Sequence, residues 1–400
     1  MEERNTSLKR KCDVLVVGGG VAGLPAAVAA ARAGASTVLV ERNAFLGGAG
    51  ILALHRYICG LYLGGPTPPK EPLNGGLVRE IVAGLAQLFP GCYPVQLGRV
   101  WGFPFQPAHL RDVYTRLAAR EKNLSILESS ELTSIDRQST RVGTVVLESP
   151  GGPVEVTPRA VIDCTGDGTA IRLAKAPFEL APEHKRQLGG CTIHIDGIEG
   201  EREVLGIKIA WRLSRLAGDQ AKGLPPFAGF AAGAGEHDGF CKFSITPELA
   251  HRGEFELGDL ITRTHALLTE QVPELKRSVI VTRSPCVMDR EGLRIKGQWR
   301  LDEESVLQAR KFPDGVVRNA WPIEFWSPES NSPVYRYIPD GDYYEIPRRC
   351  LRSASVENLF AGGRCISGSS EAIASTRAMG TCMAIGEAVG KEAAAFAQNA

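Results

Sequence analysis

The stretch GILALHRYICGLYLGG, residues 50–65, places His55, Arg56, Tyr57 and Cys59 close together in a glycine-bounded loop. A histidine, with an ordinary pKa of about 6.5, can take or give a proton at neutral pH. His55 is therefore read as a general base or substrate contact, with a hydrogen-bonded loop histidine as the alternative. A guanidinium can grip a carboxylate through two parallel N–H bonds. Arg56 is a candidate for that role, and a surface ion pair is the competing reading. Cys59 lacks a partner at CxxC spacing, which argues against a redox pair. Arg290, Glu291 and Arg294 alternate charge in a second glycine-containing loop, which reads as a substrate loop or as an exposed salt-bridged one. Arg377, ahead of the last apolar stretch, is the fourth candidate for the chemistry, beside His55, Arg56 and Arg290. The remaining histidines (109, 184, 194, 237, 251 and 265) show no HExxH spacing, and no metal is expected.

These groups need something to act with, and the amino-terminal stretch DVLVVGGGVAGLPAAVAAARAGASTVLVERNAFLGG suggests what it is. Asp13 to Val17 read as a buried strand and Ala22 to Ala33 as a helix. Between them lies Gly18-x-Gly20-Val21-Ala22-Gly23. In such a strand–turn–helix unit the first glycine permits the turn, the second lets a diphosphate approach the backbone, and the third allows close packing. Pro25 falls in the first helical turn, where backbone N–H groups have no intrahelical partner. Thr37 to Val40 form the next strand, and Glu41 follows it at the spacing where an acid meets ribose hydroxyls, with Arg42 beside it. A glutamate there favours a free 2′-hydroxyl over a 2′-phosphate. The fingerprint alone leaves NAD and FAD open, because both carry an ADP half.

Three further segments bear on that choice. Gly47 and Gly48 offer a second turn beside an extended cofactor. PRAVIDCTGDGTA, residues 158–170, is a strand ending in Thr165-Gly166-Asp167-Gly168. NLFAGGRCISGSSEAIASTRAMGTCMAIGEAVG, residues 358–390, reads as a short strand, a glycine turn and a long final helix. Together with residues 290–328 and 343–351, this layout resembles the broad family of FAD-dependent oxidoreductases with a glutathione reductase-type FAD-binding fold, over most of the chain. The resemblance implies FAD, with its ADP part near Gly18 to Gly23 and Glu41. It also implies that Gly363, Arg364 and Cys365 border the flavin or its ribityl chain, and that Arg377 to Gly380, with Thr381, begin the helix whose positive end faces the ring. It adds a covalent flavin link as another reading of His55. Where many relatives read RES before RRI, this chain has Arg290-Glu291-Gly292-Leu293-Arg294-Ile295, a departure that points to a different substrate.

Length and composition fit this picture. Four hundred residues, 44% of them hydrophobic, suggest about two domains. A formal charge of +1 without a basic block argues against a nucleic-acid partner and against an RNA-modifying flavoprotein. The amino terminus lacks the apolar core of a secretory signal and reads as a polar lead-in, and the longest apolar tract is interrupted by Arg32 and glycines, so no membrane span is expected. Ten scattered cysteines fit reduced thiols in a cytoplasmic protein. The expected fold is α/β: a discontinuous Rossmann-like FAD-binding domain (residues 1–175 and 341–400) with an inserted α+β substrate domain (176–340). The expected activity is transfer of a hydride equivalent between a small polar molecule and flavin N5, with an unassigned electron acceptor and with homo-oligomerisation left open. An NAD-dependent dehydrogenase and an electron-transfer subunit are the alternatives.

Overall fold

The computed structural model describes residues 8–219, 223–251 and 253–399. Its largest element is a seven-stranded sheet. Strands Leu124–Leu127, Thr37–Val40, Leu8–Val17 and Val154–Asp163 lie side by side and parallel, and Leu359–Ala361 pairs in parallel with Val154–Asp163. Arg141–Glu148 and Glu131–Gln138 continue the sheet antiparallel. Toward their carboxyl ends the central parallel strands are buried on both faces (Val14–Val17, Thr37–Val40, Ala160–Asp163), as a doubly covered sheet requires.

Register decides where the chain can do chemistry. Val17 is level with Val40 and with Asp163, and Asp163 is level with Ala361. The segments that follow, beginning at Gly18, Glu41, Cys164 and Gly362, therefore leave the sheet along one rim, the carboxyl ends of parallel strands, where α/β proteins bind ligands.

Helix Gly23–Arg32 packs against helix Met379–Gln398 through small residues. A Cβ on Gly386 would lie 2.1 Å from the Ala22 carbonyl oxygen, and one on Gly390 2.2 Å from that of Ala26, so only glycine permits this approach. A second, four-stranded antiparallel sheet has the order Ala228–Ala232, Gly239–Ile245, Gly189–Asp196, Val279–Arg283. It encloses its own core with helices Leu205–Asp219 and Gly253–Gln271, including Ile193, Phe243 and Leu260. Along Gly239–Ile245 the side chains of Cys241, Phe243 and Ile245 are buried in that core, and strand alternation turns Lys242 to the opposite face.

Several local expectations need correction. The polar lead-in is already strand from Leu8, because Leu8 to Cys12 pair with Val154 to Pro158; positions 1–7 lie outside the described residues. The glycine- and proline-rich residues 224–240 contain the strand Ala228–Ala232, whose small residues suit a ladder beside Gly239–Ile245. The long final helix is two helices, Ser370–Thr376 and Met379–Gln398, separated at Ala378, whose ψ of 140° is extended. Among the described residues no helix is long and apolar enough to cross a membrane.

Candidate active site

Each glycine of the first turn meets a different surrounding. Gly18, at φ +96°, donates its N–H to the Val40 carbonyl at 2.8 Å, and a Cβ there would press on the Cys164 backbone at 2.7 Å. A Cβ on Gly23 would stand 1.7 Å from the Gly18 carbonyl oxygen. Gly20 differs: the nearest atom to an added Cβ is Gly48 Cα, 3.9 Å away, so the missing side chain faces open space. Pro25 is buried in the first turn of the helix that follows.

Glu41, 4% exposed, ties two turns together. Its Oε2 accepts from the Gly19 N–H at 2.7 Å, and its Oε1 accepts from the Asn43 N–H and Nδ2 at 2.8 and 2.6 Å. Gly47 donates its N–H to the Gly19 carbonyl at 2.9 Å, which sets the second glycine turn against the first. On the neighbouring strand, the buried Asp163 carboxylate accepts from Thr165 N–H and Oγ1 and from Ile171 N–H, and so shapes the Thr165–Gly168 turn. Burial nonetheless raises the pKa of Asp163. Arg364 donates to Asp167 at 3.1 Å and to the Asp289 carbonyl. A Cβ on Gly166 would collide with that guanidinium.

These turns line one cleft, which encloses about 1660 Å³ of space between atoms, mouth included. Gly18, Gly20, Val21, Ala22, Glu41, Arg42 and Gly48 line it. So do Thr165, Gly166, Asp167, Gly363 and Arg364, and so do His55, Arg290 and Arg377. Gly23, Gly47, Arg56, Gly380 and Thr381 do not. Gly23 is consumed in helix packing, and Gly47 is turned onto Ile51. Arg56 lies 5.4 Å from the centre of the Phe240 ring instead. Gly380 donates its N–H to the Cys59 carbonyl at 2.8 Å, and the wholly buried Thr381 hydroxyl lies 2.9 Å from Asn319 Oδ1. The reason is helical periodicity: Met379 and Cys382, three apart, face the cleft, which rotates positions 380 and 381 into the core. Tyr344 also belongs to the core, bonded to Asn319 and Ser375.

In the loop after Val287, Arg290, Glu291 and Arg294 are buried rather than exposed, and their charges divide. Buried Glu291 bonds buried Arg294 and also accepts from the half-buried Ser370 hydroxyl. Arg290 turns the other way, 3.7 Å over the Trp326 ring, while its Nη1 donates to the carbonyls of Leu188 and Gly189. Lys242 from the second sheet and Arg377 from the end of helix Ser370–Thr376 complete a cationic wall on the cleft. Among the described residues the one carboxylate that pairs with any of them is Glu324, 4.0 Å from Arg377 Nη2, and it does not line the cleft. Its carboxylate accepts from the indole N–H groups of Trp326 at 2.8 Å and Trp321 at 3.2 Å, and Arg377 Nη2 donates to its backbone carbonyl at 2.8 Å.

Burial and mutual repulsion set the charge states here. Burial, then Lys242, Arg290 and Arg377, hold His55 well below its ordinary pKa, so it is neutral at pH 7. Burial, then Arg290, bring Lys242 down to about 7, although Glu324 opposes this. Arg290 falls to about 9, through burial first and Arg377 second. Burial opposes ionisation of Glu324, but Arg377 and Lys242 outweigh it and its pKa is lowered. All ten cysteines are free, and burial pushes the thiols of Cys59 and Cys382 up to about 12, so they stay protonated.

Lys242, Glu324 and Trp326 escaped the sequence reading. A signal existed: in GFCKFSI, Lys242 takes the alternate position between buried Cys241 and Phe243, which puts a charge on the opposite face, and Glu324 and Trp326, two apart on strand Ile323–Trp326, share a face.

A dinucleotide fits the donor set: a Cβ-free turn open to the cleft at Gly20, a carboxylate beside it, and a continuous lining as far as the cationic wall. A 164-residue stretch is 33% identical to the thiamine thiazole synthase of Aeropyrum pernix, covering 39% of this chain and 51% of that protein, so the chain matches about half that relative's length. The crystal structure of a flavoprotein/dehydrogenase from Cytophaga hutchinsonii shares the fold, with TM-score 0.51, 14% identity, 98% of this chain covered and 79% of that one. A geranylgeranyl bacteriochlorophyll reductase-like protein from Thermoplasma acidophilum superposes at TM-score 0.48 with 14% identity, covering 98% of this chain and 79% of that one. Residues 13–400 match the family model described as FAD dependent oxidoreductase. That match decides between the two dinucleotides left open by the glycine fingerprint: the chain belongs to the FAD-dependent oxidoreductase family and is an FAD-dependent enzyme.

Proposed function

We propose that this enzyme transfers a hydride equivalent between a small polar organic substrate and its flavin, at the part of the cleft walled by His55, Lys242, Arg290 and Arg377. The observation that carries the reading is the single cleft lined both by the Gly18–Gly20 turn with Glu41 and by that wall. Gly18, Gly20 and Glu41 would hold the ADP part, with Thr165 to Asp167, Gly363 and Arg364 along the remainder. Bound FAD supplies a two-electron acceptor or donor. The chain's own groups position the substrate and move its proton. When a C–H hydride leaves the substrate, the accompanying O–H or N–H proton needs an acceptor, and neutral His55 can take it. Lys242, poised near neutrality, can exchange a proton within the same cleft. Residues 176–340, which contain the four-stranded sheet carrying Lys242, would act as the substrate domain inserted between pieces of the FAD-binding domain.

Anaerobic mixing of the FAD-loaded protein with hydroxy acids, amines, sugars and unsaturated acids tests the reading. Bleaching of the flavin band near about 450 nm by one reduced class is expected, with the pre-reduced protein reoxidised by the matching oxidised class. Failure of every class in both directions overturns it.

A further inference from the structure

The cationic wall is unbalanced. Among the described residues, Lys242 Nζ makes no hydrogen bond and no ion pair within 4.0 Å. Arg290 is 4% exposed, yet its Nη2 has no partner, and Arg377 Nε is likewise buried and unpartnered. Among the described residues, Glu324 is the one carboxylate that pairs with any of these three cations, 4.0 Å from Arg377 Nη2, and its oxygens also accept from two indole N–H groups. Buried donors are normally paired, and buried charges are normally compensated. Three cations lining one cleft, with two buried N–H groups unpartnered and one carboxylate shared among them, are short of an anion.

The cofactor does not supply it in this arrangement, since its diphosphate is assigned to the Gly18–Gly20 turn and Glu41. Arg290 is also unusually well fixed. Its Nη1 is held by two backbone carbonyls and its Cζ lies 3.7 Å from the centre of the Trp326 ring, which fixes the guanidinium in one orientation in the cleft lining. A fixed guanidinium edge suits a planar, two-oxygen acceptor. Ala49, Leu52 and Met379 add apolar lining in the same cleft, which fits an organic body rather than a bare ion.

From this, and resting on the redox reading above, we propose that Arg290, Arg377 and Lys242 form a carboxylate subsite and that the substrate is a small organic acid. The depressed pKa values of Lys242 and Arg290 accord with it, because an anion would restore both.

The test is equilibrium binding to FAD-loaded protein at pH 6, without turnover, read by the flavin difference spectrum and by calorimetry. Acetate, malonate and benzoate are each compared with the neutral amide, and inorganic phosphate is a separate arm. At least one carboxylate is expected to bind saturably and at least tenfold tighter than its amide. That affinity is expected to fall at least tenfold in Arg290→Gln and in Lys242→Met, with FAD content unchanged. Lys242→Met keeps the test intact should Arg290→Gln, which frees two carbonyls, fail to fold. Equal binding of acid and amide overturns the proposal, as does absence of carboxylate binding by FAD-replete protein; tighter binding of phosphate than of any carboxylate overturns the carboxylate assignment. Carboxylate binding together with no flavin reduction or reoxidation by any substrate class would sink the redox reading and leave the subsite standing; bleaching by another class but by no organic acid would overturn the substrate assignment.

Discussion

Glu41 Oε2 accepts a hydrogen bond from the Gly19 N–H at 2.7 Å, across 22 positions of sequence. The residue expected to face ribose hydroxyls thus also holds the turn proposed to receive the diphosphate, and its other oxygen holds Asn43. On that proposal, cofactor recognition and local folding share one side chain.

Glu41→Gln must therefore cost stability even without FAD. An amide has one acceptor oxygen for three N–H groups now satisfied by two, and leaving a buried donor unpaired costs about 1–3 kcal/mol. Denaturant unfolding of the FAD-free variant should show a loss in that range. An unchanged apo-protein midpoint would contradict the dual role.

Gly20→Ala and Gly23→Ala should separate binding from folding. The methyl at position 20 enters open cleft, whereas at 23 it strikes the Gly18 carbonyl. Gly20→Ala is expected to melt within roughly 2 °C of wild type as apo-protein and to bind FAD at least tenfold more weakly. Gly23→Ala should yield little folded protein. Thermal melts with FAD titration check both, and equal effects at the two positions would refute the assignment.

Much of this turn was legible in the sequence because its parts are neighbours: strand, glycines, helix and acid follow one another within residues 13–41. The wall was not, since Lys242, Arg290, Glu324 and Arg377 come from four separated segments whose meeting is a tertiary event. Gly380 and Thr381 lie off the cleft for a local reason. The extended Ala378 resets the helix so that Met379 and Cys382 take the cleft face, and alanine, a strong helix former, gives no hint of such a break.

Lys242 gives a pH signature. Its folded pKa is about 7 against an ordinary 10.5, so between those values the unfolded chain binds more protons and stability rises with pH. Below pH 7 both states are protonated and the burial penalty is fully present. Lys242→Met should accordingly melt above wild type at pH 6, by roughly 2–5 °C, with the gap closing toward pH 10. A gap independent of pH would show that the lysine does not titrate in this range.

Glu324→Gln removes the counter-charge of three cations. A loss of about 2–4 kcal/mol is expected in denaturant unfolding. Because Glu324 raises the pKa of Lys242, the pH at which the Lys242→Met gap begins to close should also move lower in the Glu324→Gln background. Additive, pH-independent effects of the two substitutions would contradict their coupling.

The most direct test of the central claim, that one cleft joins the glycine turn to the cationic wall, is a crystal structure of the FAD-loaded protein. Density for the diphosphate at Gly18–Gly20 and for the redox ring beside His55, Lys242, Arg290 and Arg377 is the predicted result. Density that places the ring away from that wall, with the diphosphate still on the turn, would contradict it.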